Sequence, residues 1–117
     1  MATNEEQQQS QQAIQQVQML EQSLQSYQNQ RQNVQVQLIE IESALTELEN
    51  TTEAYNIIGN IMVLSDPEKL KKDLQEKKES AEIRIKSIEK QEKQIKEKIS
   101  TLQQDILASM KNKSSEQ

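Results

Sequence analysis

The sequence predicts a mainly α-helical fold, in which a long antiparallel two-helix coiled coil has one β-hairpin between its helices. Three observations predict it. Leucine, isoleucine and valine recur with a 3.5-residue period in both halves of the 117-residue chain. The single glycine, Gly59, and the single proline, Pro67, frame the only stretch that does not match a helical repeat. Inside that frame lies a short apolar segment typical of a hairpin.

The first helical arm is predicted over residues 10–52. Alternating steps of four and three residues from Ala13 define an apolar seam that only Arg31 interrupts. A seam sustained over about five heptads is typical of a coiled coil, since a globular helix has a broader apolar face. The many glutamines of this arm fall outside the seam and are predicted to form a neutral solvated surface. The seam residues are Ala13, Val17, Leu20, Leu24, Tyr27, Arg31, Val34, Leu38, Ile41, Leu45 and Leu48.

The hairpin is predicted over residues 53–65, with Gly59-Asn60 as a two-residue turn that needs positive φ. Its apolar side chains would point to both faces, and a lone hairpin is at best marginally stable in water. We therefore expect other chains to cover it, which makes it an oligomerisation element. The alternative is a merely hydrophobic turn between two helices. The apolar residues that flank the turn are Ile57, Ile58, Ile61, Met62, Val63 and Leu64.

The second helical arm is predicted over residues 66–110. Ser65 or Asp66 would cap it, and Pro67 fits the first turn. Its seam is less regular at first, with Leu70 and Leu74, and then becomes regular with one break at Glu92. The tails, residues 1–9 and 111–117, show no period and are predicted to be flexible. The regular seam consists of Ala81, Ile85, Ile88, Glu92, Ile95, Ile99, Leu102 and Ile106.

The two polar breaks suggest a register pair. If the chain folds back at the hairpin, Arg31 and Glu92 come to nearly the same height of an antiparallel pair. Buried polar residues at seam positions can fix register, so we hypothesise that these two side chains are partners. The alternative is that both snorkel from an exposed seam.

Charge is unevenly distributed. Residues 1–65 have one base against eight acids, and residues 66–117 have thirteen bases against eleven acids, for a net charge of -5. The opposite signs favour the two halves lying side by side, although charges at i,i+4 spacing also simply solvate the second helix. The net negative charge argues against nucleic acid and acidic membranes as partners. The cluster of Lys69, Lys71, Lys72, Lys77 and Lys78 is interleaved with acids, so it is a helix surface or a protein-docking patch.

The chain lacks the residues that several kinds of catalytic and binding site require. The chain has no histidine, no cysteine and one glycine, so it offers no acid–base or nucleophilic constellation and no phosphate-binding loop. We expect no enzymatic activity, no metal and no cofactor. No apolar run approaches the roughly 18 residues of a membrane span, and the first residues are polar rather than a signal peptide. We therefore expect a cytoplasmic protein.

Additional apolar residues lie outside the seam at the ends of the arms farthest from the hairpin. They are Ile14 and Met19 on the first arm and Leu107 and Met110 on the second. An exposed, methionine-containing apolar surface suits weak binding of varied partners. Alternatively, these residues pack against each other and close the ends.

Taken together, these residues resemble the β-class subunit of prefoldin, particularly its archaeal form. The resemblance covers nearly the whole chain and is most specific in Tyr55-x-x-x-Gly59-Asn60-Ile61 between two heptad arms, with Ile88-Glu89-Lys90-Gln91-Glu92 in the second arm. One departure is Asn56, where many members have lysine. Another is the glutamine-rich first arm, which bears on client preference.

The resemblance implies an ATP-independent molecular chaperone. Its hetero-hexamer would contain α-class subunits and further copies of this chain, with the hairpins joined into β-barrels. The arm tips would hold unfolded client proteins and transfer them to a group II chaperonin. By the same resemblance, the assembly residues are Tyr55, Ile57, Ile58, Gly59, Ile61, Val63 and Leu64. The client-binding residues are Ile14, Val17, Met19, Leu20, Leu102, Ile106, Leu107 and Met110.

A different class of function is a structural coiled coil. In that alternative the hairpin is an oligomerisation plug and the tips bind one specific folded partner. It predicts tight binding to a folded protein and no protection of unfolded ones.

Overall fold

Two long helices flank one antiparallel hairpin, which confirms the predicted mainly helical fold. The computed structural model describes the backbone of residues 4–115 and the side chains of Glu5 and of residues 7–111. The elements in chain order are α1 (Asn4–Leu48), β1 (Ala54–Ile58), β2 (Ile61–Ser65) and α2 (Pro67–Ser115).

The chain divides into two compact units. We call Met1–Gln30 together with Ile88–Gln117 the terminal unit, and Arg31–Ser87 the hairpin unit. Each unit contains part of both helices, and the hairpin unit also contains the two strands.

Helix α1 extends beyond its predicted range at its N-terminus, and α2 does so at its C-terminus. Helix α1 begins at Asn4 rather than at residue 10, and α2 ends at Ser115 rather than at residue 110. The added turns consist mainly of glutamine, glutamate, lysine and serine, with no glycine or proline to end the helix. The period of the apolar residues therefore places these two helix ends too far inside the chain. Of the predicted flexible tails, residues 1–3 and 116–117 lie outside the described residues.

Helix α1 ends at Leu48, before the predicted boundary at residue 52. The Glu49 amide donates to the Thr46 carbonyl at 3.3 Å, and the Thr51 amide donates to the Leu48 carbonyl at 3.4 Å. These i→i+3 bonds tighten the chain into a final turn. Thr51 and Thr52 follow, and β-branched residues favour extended backbone over helix, so β1 begins two residues later at Ala54.

The hairpin has the tight turn that the sequence predicts. Ile58 pairs directly with Ile61, which leaves Gly59 and Asn60 as the whole loop. Gly59 has φ 61°, and among the described residues it is the only one with positive φ. A positive φ at the first loop residue alone is typical of a type II′ turn, whose twist matches that of the flanking strands.

Helix α2 begins with an N-terminal cap at Asp66. Asp66 Oδ1 accepts a hydrogen bond from the Glu68 amide at 3.1 Å, and the Asp66 carbonyl accepts the first helical bond from the Leu70 amide at 3.0 Å. Asp66, rather than Ser65, is therefore the cap. Pro67 fills the first helical position, where no amide donor is needed. Glu68 lies in the positively polarised first turn, with its Oε1 3.5 Å from Lys71 Nζ.

In the hairpin unit, the predicted seam coincides with the interior. All of its α1 seam positions are buried or half-buried, with Val34 and Leu48 the least exposed. On α2 the regular spacing extends further back than the apolar residues indicate. The half-buried positions there include Lys71 and Lys78, in step with Leu74 and Ala81. A pattern of apolar residues does not reveal these two positions, because lysine is a charged residue that can bury its aliphatic stem while its ammonium group stays in water.

In the terminal unit, the two helices run antiparallel with their seams facing each other. Val17, Ile88 and Ile95 are buried, and the remaining apolar seam residues are half-buried. The same spacing reaches Ser10 and Ser109, whose hydroxyl oxygens lie 3.4 Å apart. This contact joins residues 99 positions apart in sequence, so it shows which turns of the two helices lie side by side in this unit.

Candidate functional sites in the hairpin and the terminal unit

The hairpin exposes apolar side chains on both faces. Its seven large apolar residues are 42–67% exposed. Pairing of Tyr55 with Leu64 and of Ile57 with Met62 puts these four side chains on one face, which is entirely apolar. Ile58, Ile61 and Val63 lie on the other face with Asn56, and Ala54 is buried there. A surface of this composition is unusual for a chain that acts alone.

Within the part of the chain that the structure describes, β1 and β2 form a two-stranded sheet whose outer edges pair with no further strand. In an antiparallel pair, opposed residues alternate between exchanging hydrogen bonds and turning their N–H and C=O groups outward. The Ile58–Ile61 pair closes the turn and is hydrogen-bonded, so Ile57–Met62 and Tyr55–Leu64 are the outward pairs. The four residues of the apolar face thus also present the backbone groups with which another strand could pair.

The predicted assembly residues all lie at exposed positions of this hairpin or in its turn. They are Tyr55, Ile57, Ile58, Gly59, Ile61, Val63 and Leu64. Met62 lies beside them and is 67% exposed. The sequence pattern includes it among the apolar hairpin residues expected to be covered, although the resemblance does not name it as an assembly residue.

A pocket at the base of the hairpin contains Asn56, the position at which the sequence departs from the resembled family. Asn56 shares this pocket with Ser65 and with the first turns of α2, including Lys69 and Asp73. The lining also includes Leu64 and Leu70, and its charged residues are of both signs, so an uncharged amide is compatible with it.

The terminal unit exposes four of the predicted client-binding residues. Ile14, Met19, Leu107 and Met110 are exposed, with Met19 the most so at 69%. Leu20, Leu102 and Ile106 are half-buried in the seam. Val17 is only 9% exposed, because it lies at the centre of the seam, so a client could not contact it on this surface.

An open groove runs along one side of the terminal unit. Met19, Leu20 and Leu102 provide its apolar surface, and it is bordered by polar side chains of both helices. The complete lining is Gln16, Met19, Leu20, Gln94, Glu97, Lys98, Thr101 and Leu102. Its volume is about 680 Å³.

A smaller recess lies where the seam approaches Ser10 and Ser109. Ala13 and Ile106 line it together with those serines. Small side chains at seam positions leave this space because they cannot fill the gap between two helices. Leu107 and Met110 are exposed on the same stretch of α2.

The two predicted register residues differ in exposure. Glu92 is 5% exposed in the terminal unit, and Arg31 is half-buried in the hairpin unit. A carboxylate so deeply buried is costly unless it is paired or hydrogen-bonded. Their mutual pairing stays a prediction.

The described residues contain no cluster of three or more histidine, cysteine, aspartate or glutamate side chains arranged to hold a metal ion. Within the same residues, neither helix is long and apolar enough to cross a membrane.

Comparison with known proteins gives consistent results. A family model described as prefoldin subunit matches residues 11–113. Prefoldin subunit beta of Thermococcus onnurineus is 36% identical over 85 residues, which cover 70% of this chain and 73% of that protein. Prefoldin subunit beta of Archaeoglobus fulgidus is 40% identical over 80 residues, or 66% and 69% of the two chains. The crystal structure of the prefoldin beta subunit from Thermococcus strain KS-1 superimposes with a TM-score of 0.81 at 33% identity, covering 86% of this chain and 91% of that one.

Proposed function

Because the chain belongs to the prefoldin subunit family, as a β subunit of archaeal type, we propose that it is part of an ATP-independent cytoplasmic chaperone. In this proposal the terminal unit captures non-native polypeptides, and the complex transfers them to a group II chaperonin. Membership of this family implies the chaperone role. The capture site and the transfer are the parts that need direct tests.

One observation supports capture at the terminal unit above all others. Ile14, Met19, Leu107 and Met110 are exposed, and none of them belongs to the seam that holds the helices together. Non-native polypeptides differ from folded ones chiefly in the apolar side chains they expose. Flexible apolar residues such as methionine adapt to many such sequences.

The hairpin is proposed to build the assembly. Its apolar face and its two free edges suit addition of further strands, which satisfies outward N–H and C=O groups and covers apolar side chains together. The partners would be α-class prefoldin subunits and further copies of this chain, with the hairpins joined into β-barrels. Several terminal units in one complex would then engage one client, and multivalency strengthens binding that is weak at each site.

The test is suppression of aggregation of a chemically denatured client by the chain assembled with an α-class subunit. A variant with Ile14, Met19, Leu107 and Met110 all replaced by glutamine should lose most of this activity. A matched control replaces Val36, Ile39 and Ile83 by glutamine, because these are also large apolar residues, 55–69% exposed, but lie in the hairpin unit. The control should keep its activity.

The outcomes separate the possible functions. Equal loss in both variants would mean that client capture is not located in the terminal unit. No protection by the unmodified assembly, together with tight binding to one folded protein, would favour a structural coiled-coil scaffold instead.

A further inference from the structure

The groove of the terminal unit has a specific chemistry beyond its apolar surface. Met19 and Leu20 come from α1 and Leu102 comes from α2, so both helices contribute to its floor. Gln16 lies on the α1 side, and Gln94 and Thr101 lie on the α2 side. An apolar floor is thus bordered on both sides by side chains that can form hydrogen bonds.

The border groups can both donate and accept. A glutamine amide supplies two donors and one acceptor oxygen, and both Gln16 and Gln94 are exposed. Thr101 Oγ1 donates to the Glu97 carbonyl at 3.0 Å, which leaves its oxygen lone pairs available to accept. A bound peptide group, which has both an N–H donor and a C=O acceptor, could therefore form hydrogen bonds on either side of the groove.

Charge contributes little to this groove. Glu97 and Lys98 are the only charged residues that line it, and their formal charges cancel. A partner with no net charge along the bound stretch suits this border, since a charged group would meet a like charge there as well as an opposite one.

The dimensions suit a short stretch of extended chain. From Gln94 to Leu102 the groove follows eight helical steps, or about 12 Å at ~1.5 Å per residue. An extended polypeptide covers that distance with about four residues at ~3.3 Å each. Its alternate side chains would face the floor, and its N–H and C=O groups would point to the two sides.

We propose that this groove binds an uncharged, extended segment of a non-native polypeptide through its main-chain amides as well as its apolar side chains. The proposal deepens the proposed function and rests on it. It assigns Gln16, Gln94 and Thr101 to the recognition of peptide backbone, which is common to all clients. Met19, Leu20 and Leu102 then select segments with apolar side chains at alternate positions.

The test measures binding of three fluorescent ten-residue peptides to the full chain by fluorescence anisotropy. The first alternates leucine and serine, and the second is the same peptide with N-methyl groups on its central four amides. The third rearranges the same residues so that leucines recur at helical spacing. The first peptide should bind about tenfold more tightly than the second, because the N-methyl groups remove about two hydrogen bonds to the border of the groove. It should also bind more tightly than the third.

Variants of the two border glutamines test whether these side chains cause the difference in affinity between the first two peptides. Replacing Gln16 and Gln94 by leucine should bring the ratio of the first two affinities close to one, without abolishing binding. Gln22 and Gln104 are also exposed but do not line the groove, so replacing these two by leucine should leave the ratio unchanged.

Three results would overturn the inference. They are equal affinity of the unmodified chain for the first two peptides, tighter binding of the helical peptide, and an unchanged ratio in the Gln16 and Gln94 variant. If any of these occurs while the assembled chain still suppresses aggregation through its terminal unit, only the backbone recognition is wrong. If suppression is absent as well, the proposed function fails with it.

Discussion

Truncation of the apolar hairpin face should weaken assembly by an amount that the structure allows us to estimate. Ile57 and Met62 form a directly opposed pair, and each is 67% exposed in the single chain. Burying such a side chain completely stabilises by about 1.5–3 kcal/mol, so covering the exposed two thirds contributes about 1–2 kcal/mol for each residue. Replacing both by alanine should therefore cost the assembly about 2 kcal/mol or more per hairpin. That corresponds to a dissociation constant raised at least roughly 30-fold.

The assay is native mass spectrometry across a dilution series, with and without an α-class subunit, supported by sedimentation at the same concentrations. Ile83 provides the matched control, because it is 69% exposed on α2, outside the hairpin. Ile83→Ala removes the same atoms as Ile57→Ala, from a surface that the hairpin mechanism does not use. Both variants should keep the helical circular dichroism of the parent, since exposed side chains contribute little to stability.

Two results would refute this reasoning. One is assembly of the Ile57 and Met62 double variant at the same concentrations as the parent. The other is equal weakening by Ile83→Ala, which would mean that the interface lies on the helices rather than on the hairpin.

Three further changes test single features. Gly59→Ala should destabilise the hairpin by about 1–2 kcal/mol through backbone strain at positive φ, measured as loss of assembly. The strain does not come from a clash, because a Cβ there meets nothing within 4 Å. Gly59→Asn should be tolerated better, since asparagine adopts positive φ more readily. Asp66→Ala should lower the unfolding free energy by about 1 kcal/mol in urea titrations through loss of the helix cap, whereas Asp66→Asn should retain it. Arg31→Leu should cost about 3–5 kcal/mol if it leaves the buried Glu92 unpaired, and adding Glu92→Leu should restore stability; additive losses would contradict the pairing.

The sequence predicts the seam well because each seam residue is determined by its own helix. A side chain at every third or fourth position faces the partner helix whatever that partner is, so Val34 or Ile95 could be identified from spacing alone. The helix ends could not, because the turns beyond the seam are polar and have no period. Lys71 and Lys78 were missed for a related reason, since a lysine at a seam position has the spacing of the seam without its hydrophobicity.

The groove could not be predicted from either helix separately. Gln94 and Thr101 become its border only because α2 is rotated and aligned so that they lie beside the α1 segment that contains Gln16. Register of this kind depends on contacts across the helix pair, such as the one between Ser10 and Ser109. Spacing along one helix contains no information about it.

Binding and folding use partly separate residues in the terminal unit, and this separation has a consequence for mutants. Ile14, Met19, Leu107 and Met110 are exposed, so replacing them should change client binding with little change in stability. Leu20, Leu102 and Ile106 are half-buried, and replacing them removes seam packing as well as surface. Val17 is buried, so a Val17 variant with lost activity should also show lowered thermal stability of the helices. Lost activity at unchanged stability would instead indicate that the seam opens when a client binds.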